Sequence, residues 1–574
     1  MASLLLVAAN GAYASAPPIN DDWANATTIP AISPAFVTSE ENMYLATMEG
    51  TDPVPPCVPL NAPGVSSSLW YKYTPTAPTE YMTLTIPDNK IVGIVTVYTG
   101  NPTDGFRIVS GGCSHLSDDI HFTRVAGLRL SAGVTYSIEV AAIFPVGAPV
   151  NGSNTLSFSV ESAATYAVTK TADTSDGTCD ADCSLREAIS ASNAVPGAVL
   201  IPGGTYTLAI AGVDEYGNAS GSLDVLHGMG IYGAGMQQTV IDANQLDRVL
   251  HLDPVASGTT HANFAIADLT LTRGHAVPTS LHNAGGGGLL LQSNSDYFGL
   301  ERVAVSASSS DYISGGVTIF SPGILSDCAI SDNTTPGFGA GGLYLAVDGA
   351  PHYIEISGST VSGNSATSSS GIAGGIYLAA GPLRVNNSTI SGNHATYDGG
   401  GIYVGNNGSL KMASSTVVLN SAQTNPNKTF GGGGVHLENA GSSSIVNSIL
   451  AYNTVANPDD PPDCGAFGGT LASAYNVVGS ISVSCGFTGT GDITGVDPGV
   501  SHILANNGGL TKTHALLSNS VAQDSGDPAG CKDATGLLDL AYDQRGAGFA
   551  RVANGNCDKG AFEFVDKIFF DGFD

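Results

Sequence analysis

The most constraining feature of this sequence is an internal repeat of about 30 residues in its second half. Residues 359–366 read STVSGNSA, and residues 388–395 read STISGNHA. Each copy is followed by a Gly pair and an apolar stretch, GGIYL at 374–378 and GGIYV at 400–404. A unit of this length cannot bury its own hydrophobic face, so neighbouring copies must stack into an elongated fold.

One Asn returns in every copy and marks one corner of the unit. Its copies are Asn333, Asn364, Asn393, Asn420 and Asn453, with spacings of 31, 29, 27 and 33 residues. Asn tolerates the left-handed backbone of a tight corner, and its side chain can hydrogen-bond along a stack. The sequence therefore predicts a ladder of these five side chains.

The repeat predicts an all-β fold, a right-handed parallel β-helix. The chain has 74 Gly among 574 residues, which suits tight corners, and the repeated segments show short apolar strands without a helical pattern. Roughly eleven coils, spaced about 4.8 Å apart, would form a rod of about 50 Å. A β-propeller is the alternative fold, although its blades are longer, at about 40–50 residues.

Residues 20–163 have a different pattern, which predicts a small β-sandwich in front of the solenoid. Apolar residues alternate with Thr or Ser at 82–86 and 156–160, and turn residues interrupt the strands at intervals. Four segments resemble the bacterial pre-peptidase C-terminal-like modules, at 21–26, 68–74, 97–100 and 133–136. The resemblance implies a module that accompanies secreted enzymes and surface proteins.

The segment Cys183–Ala188 spells CSLREA, the signature after which the CSLREA domain is named. Within it, Ser184 and Glu187 have the spacing of a capping box, which predicts a short helix over the open end of the solenoid. The repeats resemble those of chlamydial polymorphic outer-membrane proteins. The downstream part is similar to the β-helix proteins called choice-of-anchor Q, at 485–487, 491–498, 507–516, 543–546 and 557–563. These resemblances imply a pectin-lyase-like solenoid on a secreted or surface protein, and they imply no particular activity.

These patterns divide the chain into five segments. They are a signal peptide (1–16), the β-sandwich (20–163), the β-helix with its N-terminal capping segment (166–525), a C-terminal cap (526–563) and an aromatic-acidic tail (564–574). The apolar run Leu4–Ala9 is typical of a secretory signal and predicts export. The tail is interpreted either as a sorting tag or as a final strand on the solenoid edge. After the signal, no apolar stretch reaches the length of a transmembrane helix.

Nine cysteines agree with an oxidising compartment. The sequence leaves their connectivity open, and position along the chain favours four local pairs. The pairs are Cys57 with Cys113, Cys179 with Cys183, Cys464 with Cys485, and Cys531 with Cys557. Cys328 is left over, and we expect it to be buried in a coil.

The charge balance disfavours several classes of partner. The chain has 19 Lys and Arg against 49 Asp and Glu, a net charge of −30. Nucleic acids, anionic membranes and polyuronates all need clustered cations on the protein, so we expect none of them as ligands.

A catalytic constellation for polysaccharide cleavage is not evident. A lyase needs a base and a cation, and a glycosidase needs two carboxylates about 5–10 Å apart. Asp327 and Asp332 are the nearest pair in sequence, and Asp332 lies at a turn beside the repeated Asn. The basic residues of the coils are scattered, namely Arg273, Arg302, Arg384, Lys411 and Lys428. We therefore assign no catalytic residue, and we interpret His394 and His436 as exposed turn or strand residues.

Four acids precede the CSLREA segment, Asp173, Asp176, Asp180 and Asp182. Their oxygens are suitable calcium ligands, but the spacing is not that of an EF-hand. The default interpretation is a set of solvated loop acids, and we expect no metal or cofactor.

Together these features favour a secreted or cell-surface protein that is adhesin-like or binds a glycan or matrix without catalysis. Its partner would be a polysaccharide or another cell-surface ligand. The alternative is a carbohydrate-active enzyme, a lyase or a glycoside hydrolase, because a fold alone does not decide function. A structural spacer that displays the β-sandwich is a third hypothesis.

Overall fold

The computed structural model is nearly all β and places a pair of sheets beside a long solenoid. It describes residues 17–59, 64–87, 91–115, 123–144, 155–213, 215–252, 262–278, 285–292, 296–423, 431–468, 470–481, 484–552 and 555–565. The predicted signal peptide and all but two residues of the predicted tail lie outside the described residues.

The N-terminal part contains two larger sheets, a two-stranded sheet, and two short 3₁₀ helices at Trp23–Asn25 and Met43–Leu45. Its strands are β1 (Thr27–Thr28), β2 (Phe36–Val37), β3 (Glu41–Asn42), β4 (Ser67–Tyr73), β5 (Thr79–Ile86), β6 (Val92–Asn101), β7 (Gly105–His115), β8 (Thr123–Ser131), β9 (Tyr136–Ile143), β10 (Thr155–Leu156) and β11 (Ser159–Ser162). The larger sheets have the orders β1-β4-β9-β6-β7 and β2-β11-β5-β8. One buried apolar cluster, with Leu69 from β4 and Leu84 from β5, joins the two sheets.

The solenoid begins after β11, and the part of it that the structure describes contains one α-helix, α1 (Leu185–Ala194). Its first strands are β12 (Ala164–Ala167), β13 (Gly197–Leu200), β14 (Gly204–Thr207), β15 (Leu223–Val225), β16 (Met229–Tyr232), β17 (Thr239–Asp242), β18 (Leu250–Leu252), β19 (Asn263–Thr272), β20 (His275–Ala276), β21 (Leu289–Leu291), β22 (Tyr297–Ser306), β23 (Ser309–Ser310), β24 (Val317–Ile319), β25 (Gly323–Ser326), β26 (Ala329–Ser331), β27 (Thr334–Thr335) and β28 (Leu343–Ala346). The later strands are β29 (Ile354–Ser357), β30 (Thr360–Ser362), β31 (Ser365–Ala366), β32 (Ile376–Asn386), β33 (Thr389–Ser391), β34 (His394–Ala395), β35 (Ile402–Ala413), β36 (Thr416–Val418), β37 (Ser421–Ala422), β38 (Val435–Glu438), β39 (Ser443–Val446), β40 (Ile449–Ala451), β41 (Thr454–Val455), β42 (Cys464–Phe467), β43 (Leu471–Ala474), β44 (Val477–Val478) and β45 (Ile493–Thr494).

A complete coil has four short strands, which we call A, B, C and D in chain order. In one coil they are β24, β25, β26 and β27. Each pairs in parallel with its counterpart in the next coil, so equivalent residues form columns with a spacing of about 4.8 Å. The A, B and C strands belong to one 27-stranded sheet, and the D strands form a seven-stranded sheet. The solenoid has about ten turns, close to the eleven coils expected from the repeat.

Alternation along each strand decides which side chains enter the core. Val361, Ile390 and Val417 occupy the middle positions of successive C strands and belong to one continuous apolar core. Their neighbours on either side in the strand point outward, because successive residues of a strand face opposite sides. Each three-residue C strand therefore contributes one residue to the core and two that face away from it.

Both ends of this core are covered. At the N-terminal end, α1 buries Leu185 and Ile189 in the core, and Ser184 and Glu187 form the predicted capping box. At the other end, Phe487 packs on the core next to the disulfide of Cys485. A β-helix needs such covers because the open ends of its sheets would otherwise expose unpaired backbone groups.

The five repeated Asn side chains form a continuous hydrogen-bonded ladder. The Nδ2 of Asn333 donates to Oδ1 of Asn364 at 3.0 Å, and the same bond, at 2.9 Å, links each later Asn to the next. All five side chains are buried. The left-handed backbone lies one residue before the Asn, at Asp332 and its equivalents, where φ is 57° in Asp332. The corner strain is therefore taken by the preceding residue, and the Asn supplies the hydrogen bonds.

The N-terminal sheets pack along the side of the solenoid, against B strands. Asn263 of β19 donates to the Gly111 carbonyl at 2.9 Å and accepts the N–H of Ala126 at 3.1 Å. The contact is so close that a Cβ on Gly127 would lie 2.1 Å from a backbone oxygen of β13. The two parts of the chain therefore share a buried, hydrogen-bonded interface, whereas membership of the pre-peptidase C-terminal-like family stays a prediction.

Beyond β45, residues 497–563 run back along the flank of the coils, and we call them the C-terminal segment. Its Leu516 and Phe562 share an apolar cluster with Val418 and Ile449, which face outward from late C strands. Farther along, Arg107 of β7 donates to the backbone oxygen of Asp539 at 3.5 Å. Residues 526–563, predicted as a cap, thus lie on the flank, where apolar outward residues provide the docking surface.

Eight cysteines form four disulfides. They are Cys57–Cys113, Cys179–Cys183, Cys464–Cys485 and Cys531–Cys557, the same pairs that chain position favours. Cys328 is a buried thiol in a coil. Each disulfide joins residues within one part of the fold, so the crosslinks stabilise local loops.

Candidate functional site

A cleft lies between the early C strands and the C-terminal segment, and we call it the hydroxyl cleft. Its volume is about 540 Å³. The floor consists of small side chains on C strands: Thr270, Ala304, Ala329, Ser331 and Ser362. One wall is formed by residues 502–514 of the C-terminal segment, and Met236 and Gln237 flank the floor beside Thr270.

Strand register explains the shape of the floor. Thr270 pairs with Ala304, Ala304 with Ala329, and Ala329 with Thr360 in successive C strands. Because these side chains are small, they leave space between the outer surface of the sheet and the wall. The two steps from Thr270 to Ala329 give an open floor of about 10 Å along the solenoid axis. Thr360, one step farther on, is buried under the wall.

The two outward columns of the C strands explain why the cleft ends where it does. One runs from Thr270 and Ala304 to Ile449, and the other runs from Ser331 and Ser362 to Val418. From Val418 onward, the outward residues of the C strands are apolar, and the C-terminal segment covers them. In the earlier coils those positions are small or polar, and they remain half-buried at Ala304, Ala329 and Ser362. The change in residue type along both columns thus separates a covered part of the sheet from an open part.

Polar contacts fix the wall where these two parts meet. Thr360 Oγ1 donates to the Lys512 carbonyl at 2.6 Å, and Thr511 Oγ1 donates to the Gly358 carbonyl at 2.7 Å. Gln544 Nε2 lies 2.9 Å from Thr360 Oγ1, 3.0 Å from Thr511 Oγ1 and 3.1 Å from the Lys512 oxygen. Three residues of the C-terminal segment therefore bind the coils at a single place.

Ser391 and His514 meet at the closed end of the cleft. His514 Nδ1 lies 2.7 Å from the carbonyl oxygen of Ser501, and Nε2 lies 2.8 Å from Ser391 Oγ. A carbonyl oxygen only accepts, so Nδ1 carries the proton, and in the neutral ring Nε2 accepts the hydroxyl of Ser391. Burial lowers the pKa of His514, and the nearby His502 lowers it further, which favours the neutral ring.

Charged groups are few in the cleft. Among the described residues that line it, Asp332 is the only carboxylic acid and Lys512 the only Lys or Arg. The second predicted carboxylate, Asp327, lies at the opposite end of β26, on the order of 15 Å away along the extended backbone. Burial and the nearby Glu301 raise the pKa of Asp327 to about 6. The structure therefore does not bring Asp327 and Asp332 together as a pair in the cleft.

The scattered basic residues do not meet at the cleft either. Arg273 and Arg302 each pair with an Asp of the preceding coil, at 2.5 and 2.6 Å. Arg384 stacks on an aromatic ring of the preceding coil at 3.6 Å, and Lys411 is exposed on β35. None of these four lines the cleft, and Lys428 lies outside the described residues.

A second surface feature lies on the A strands, and we call it the tyrosine ladder. It consists of Tyr344, Tyr377, Tyr403 and His436, which are register partners in four successive coils. The tyrosine ring centroids are 5.2 and 5.3 Å apart in edge-to-face contacts, and Tyr403 stacks on His436 at 4.8 Å. Tyr344 and Tyr377 are half-buried, whereas Tyr403 and His436 are buried.

The two predicted surface histidines differ in their environments. His436 is buried rather than exposed, because it lies in the tyrosine ladder and its Nε2 is 2.9 Å from Glu438 Oε2. His394 is half-buried on β34, with Nδ1 2.9 Å from Ser421 Oγ of the next D strand. Neither lines the hydroxyl cleft, and its two histidines, His502 and His514, come from the C-terminal segment.

The acids before the CSLREA segment support the N-terminal cap. Asp173 forms an ion pair with the buried Arg186 at 2.8 Å. Burial alone would raise the pKa of Asp173, but the contact with Arg186 outweighs burial, and the pKa is lowered. Asp176 and Asp180 accept backbone N–H groups two residues ahead in their own loop. Among the described residues, no group of three or more His, Cys, Asp or Glu is placed to hold a metal ion. The expectation that this loop holds no metal ion stays a prediction.

Comparison with a family model identifies the solenoid type. The model described as the right-handed beta helix region matches residues 276–454. This range includes all five ladder Asn residues and the C and D strands that surround them. No curated protein gives a significant match. In the described residues, no helix has both the length and the hydropathy needed to cross a membrane.

Two solved structures are similar to the chain at low identity. One is the catalytic unit of the thermostable GH87 alpha-1,3-glucanase from Streptomyces thermodiastaticus strain HF3-3, with 14% identity, 75% of this chain and 88% of that chain covered, and a TM-score of 0.28. The other is pectate lyase Pel9A, with 13% identity, 70% of this chain and 98% of that chain covered, and a TM-score of 0.37. Scores this low carry no argument about activity, so function must come from the site.

Proposed function

We propose that this protein acts outside the cell by binding an uncharged, extended glycan along the hydroxyl cleft. The observation that carries the proposal is the open column Thr270–Ala304–Ala329 beside the wall of the C-terminal segment. A shallow, straight channel of this kind suits a linear polymer that lies along the solenoid axis. Such binding would make the protein adhesin-like or matrix-associated.

The chemistry of the cleft supports a neutral ligand. Hydroxyl groups of Ser331 and Ser362 can both donate and accept hydrogen bonds, as sugar hydroxyls do, and Thr270 Oγ1, which donates to the Met236 carbonyl, can still accept one. Lys512 is the single cationic Lys or Arg in the described lining, and the chain carries a net charge of −30. A polyanionic glycan would therefore meet repulsion over the molecule with little local compensation. The four disulfides agree with an extracellular location.

Cleavage of the glycan backbone has less support than binding. A glycoside hydrolase requires two carboxyl groups that flank the scissile bond. Asp332 is the one carboxyl group among the described residues of the cleft. The hypothesis of a lyase or glycosidase therefore lacks a complete set of groups at this site.

Retention on a panel of neutral and acidic polysaccharides tests the proposal, with release of reducing ends and unsaturated uronate measured in the same wells. Ala329→Trp fills the floor and should weaken retention at least about tenfold, a loss of about 1.4 kcal/mol. Ala472→Trp is the matched control, because Ala472 is exposed on β43 outside the cleft lining. Equal retention by both variants would place binding elsewhere, and release of backbone fragments would establish an enzyme.

A further inference from the structure

The pair of Ser391 and His514 has a geometry that glycan binding does not require. The two side chains come from β33 and from the C-terminal segment, 123 residues apart in sequence. Both line the hydroxyl cleft, at its closed end. We propose that Ser391 is a nucleophile and His514 its general base, and that the cleft hydrolyses an ester carried by the bound glycan.

Orientation of the histidine is the first argument. The Ser501 carbonyl holds the proton on Nδ1, so Nε2 faces Ser391 Oγ with its lone pair at 2.8 Å. A nucleophile, a base within hydrogen-bond reach and a third group that orients the base form the arrangement that activates a hydroxyl. Here a backbone oxygen takes the orienting role.

Comparison with other Ser–His contacts in the chain is the second argument. His275 and His394 also contact serines, at 2.8 and 2.9 Å, but both use Nδ1 and lie on D strands. Neither pair lines the cleft. Only at Ser391, among the described Ser–His contacts, does the pair open onto a channel with room for a polymer.

The cleft also offers donors for the charge that develops on an ester oxygen. Lys512 and Asn506 line the same cleft as Ser391, and Lys512 is exposed at its edge. A cation and an amide N–H group stabilise an oxyanion more in the transition state than in the ground state. These two side chains are therefore the candidate donors to the acyl oxygen in the cleft.

The reaction proceeds in two balanced steps. Ser391 Oγ attacks the acyl carbon as its proton moves to His514 Nε2, the bond from the acyl carbon to the sugar oxygen breaks, and that oxygen leaves with the proton. The acyl group is then bonded to Ser391. A water molecule, deprotonated by His514, attacks this acyl-enzyme and releases the carboxylic acid, with the proton returned to Ser391. Ester and water are the only reactants, and the products are the free sugar hydroxyl and the acid.

The first test labels the purified full chain with a fluorophosphonate and maps the modified peptide by mass spectrometry. We expect modification at Ser391, no modification at Ser421, and none after heat denaturation. In parallel, hydrolysis of an aryl acetate should fall about 100-fold or more in Ser391→Ala and in His514→Gln. Ser421→Ala, which removes the partner of His394 outside the cleft, should hydrolyse the ester at the wild-type rate.

A wild-type chain that is not labelled at Ser391 and does not hydrolyse the aryl acetate would overturn the inference, whatever the stability of the variants. Hydrolysis that persists in Ser391→Ala would overturn it as well. The inference rests on the proposed function only for the glycan that carries the ester. An active chain that retains no glycan would therefore reject the proposed function alone, and retention without labelling would reject the inference alone.

Discussion

The hydroxyl cleft and the tyrosine ladder are two faces of the same coils. Both are built from columns of register partners, one face on the C strands and the other on the A strands. The outward C-strand columns present Thr, Ala and Ser and leave a channel of about 540 Å³. The A-strand column presents aromatic rings that contact one another at 5.2 and 5.3 Å.

The difference shows how side-chain size at one repeated position sets the role of a solenoid face. Large rings reach their neighbours across the coil spacing of about 4.8 Å and pack against one another, and these contacts stabilise the face. Small side chains such as Ala304, Ala329, Ser331 and Ser362 fill less of that spacing, so the floor stays open to a ligand. Accordingly, we expect the ladder to act mainly on stability and the cleft mainly on binding.

Tyr403→Ala is the strongest test of this comparison. Tyr403 is 6% exposed and contacts rings on both sides, so its truncation should lower the free energy of unfolding by about 3–5 kcal/mol. Denaturant unfolding measures the loss, and retention of glycan per folded molecule should not change. Tyr312→Ala, at a 43% exposed ring, is the control and should cost less than about 0.5 kcal/mol. Lost retention in folded Tyr403→Ala would show that the ladder also binds.

Thr360→Val is a smaller change, on the cleft side. The substitution removes the hydroxyl that donates to the Lys512 oxygen and accepts from Gln544, at nearly constant volume. Loss of these buried partners should cost about 1–2 kcal/mol, because Gln544 still reaches the Lys512 oxygen.

Amide hydrogen exchange should locate this effect at residues 502–514 and leave the A strands unchanged. Thr334→Val, at an exposed position of β27, is the matched control. Uniformly faster exchange across the coils in Thr360→Val would mean that the C-terminal segment supports the whole solenoid, and the two faces would then not be separable.

Much of the solenoid could be predicted because the sequence pattern that specifies it is periodic. The spacing of the Asn residues and the Gly pairs specifies a coil, and each coil repeats the last. A second ladder was missed, in which Ser388 Oγ accepts the N–H of Ser359 at 3.2 Å and Ser415 repeats the contact with Ser388. The signal was present, since a Ser opens each STV or STI segment, but Ser is common in loops and draws less attention than Asn.

The candidate site could not be predicted in the same way. It depends on where the C-terminal segment docks, and that segment has no repeat to give its register. Ser391 and His514 are 123 residues apart and look ordinary separately. One clue was readable, because outward C-strand residues change from Ser and Thr to Val418 and Ile449 along the repeat. An apolar surface of this kind must be covered, although the sequence does not say by which residues.

The smallest expected effect is that of acidification, which should destabilise the region of the cleft before the tyrosine ladder. Burial lowers the pKa of His514 below its ordinary value of 6.5, so the unfolded chain takes up this proton first as the pH falls. The stability that neutral His514 contributes is therefore complete above pH 6.5 and declines below it, by at most about 1.4 kcal/mol per pH unit. His502 faces His514, and Lys512 lines the same cleft, so positive charge on these neighbours opposes protonation. Unfolding measured from pH 7.5 to 5.5 should show this decline in the wild type and a flatter profile in His514→Gln. Parallel profiles would mean that His514 keeps the same pKa in the folded and unfolded chain, which contradicts its buried place at the end of the cleft.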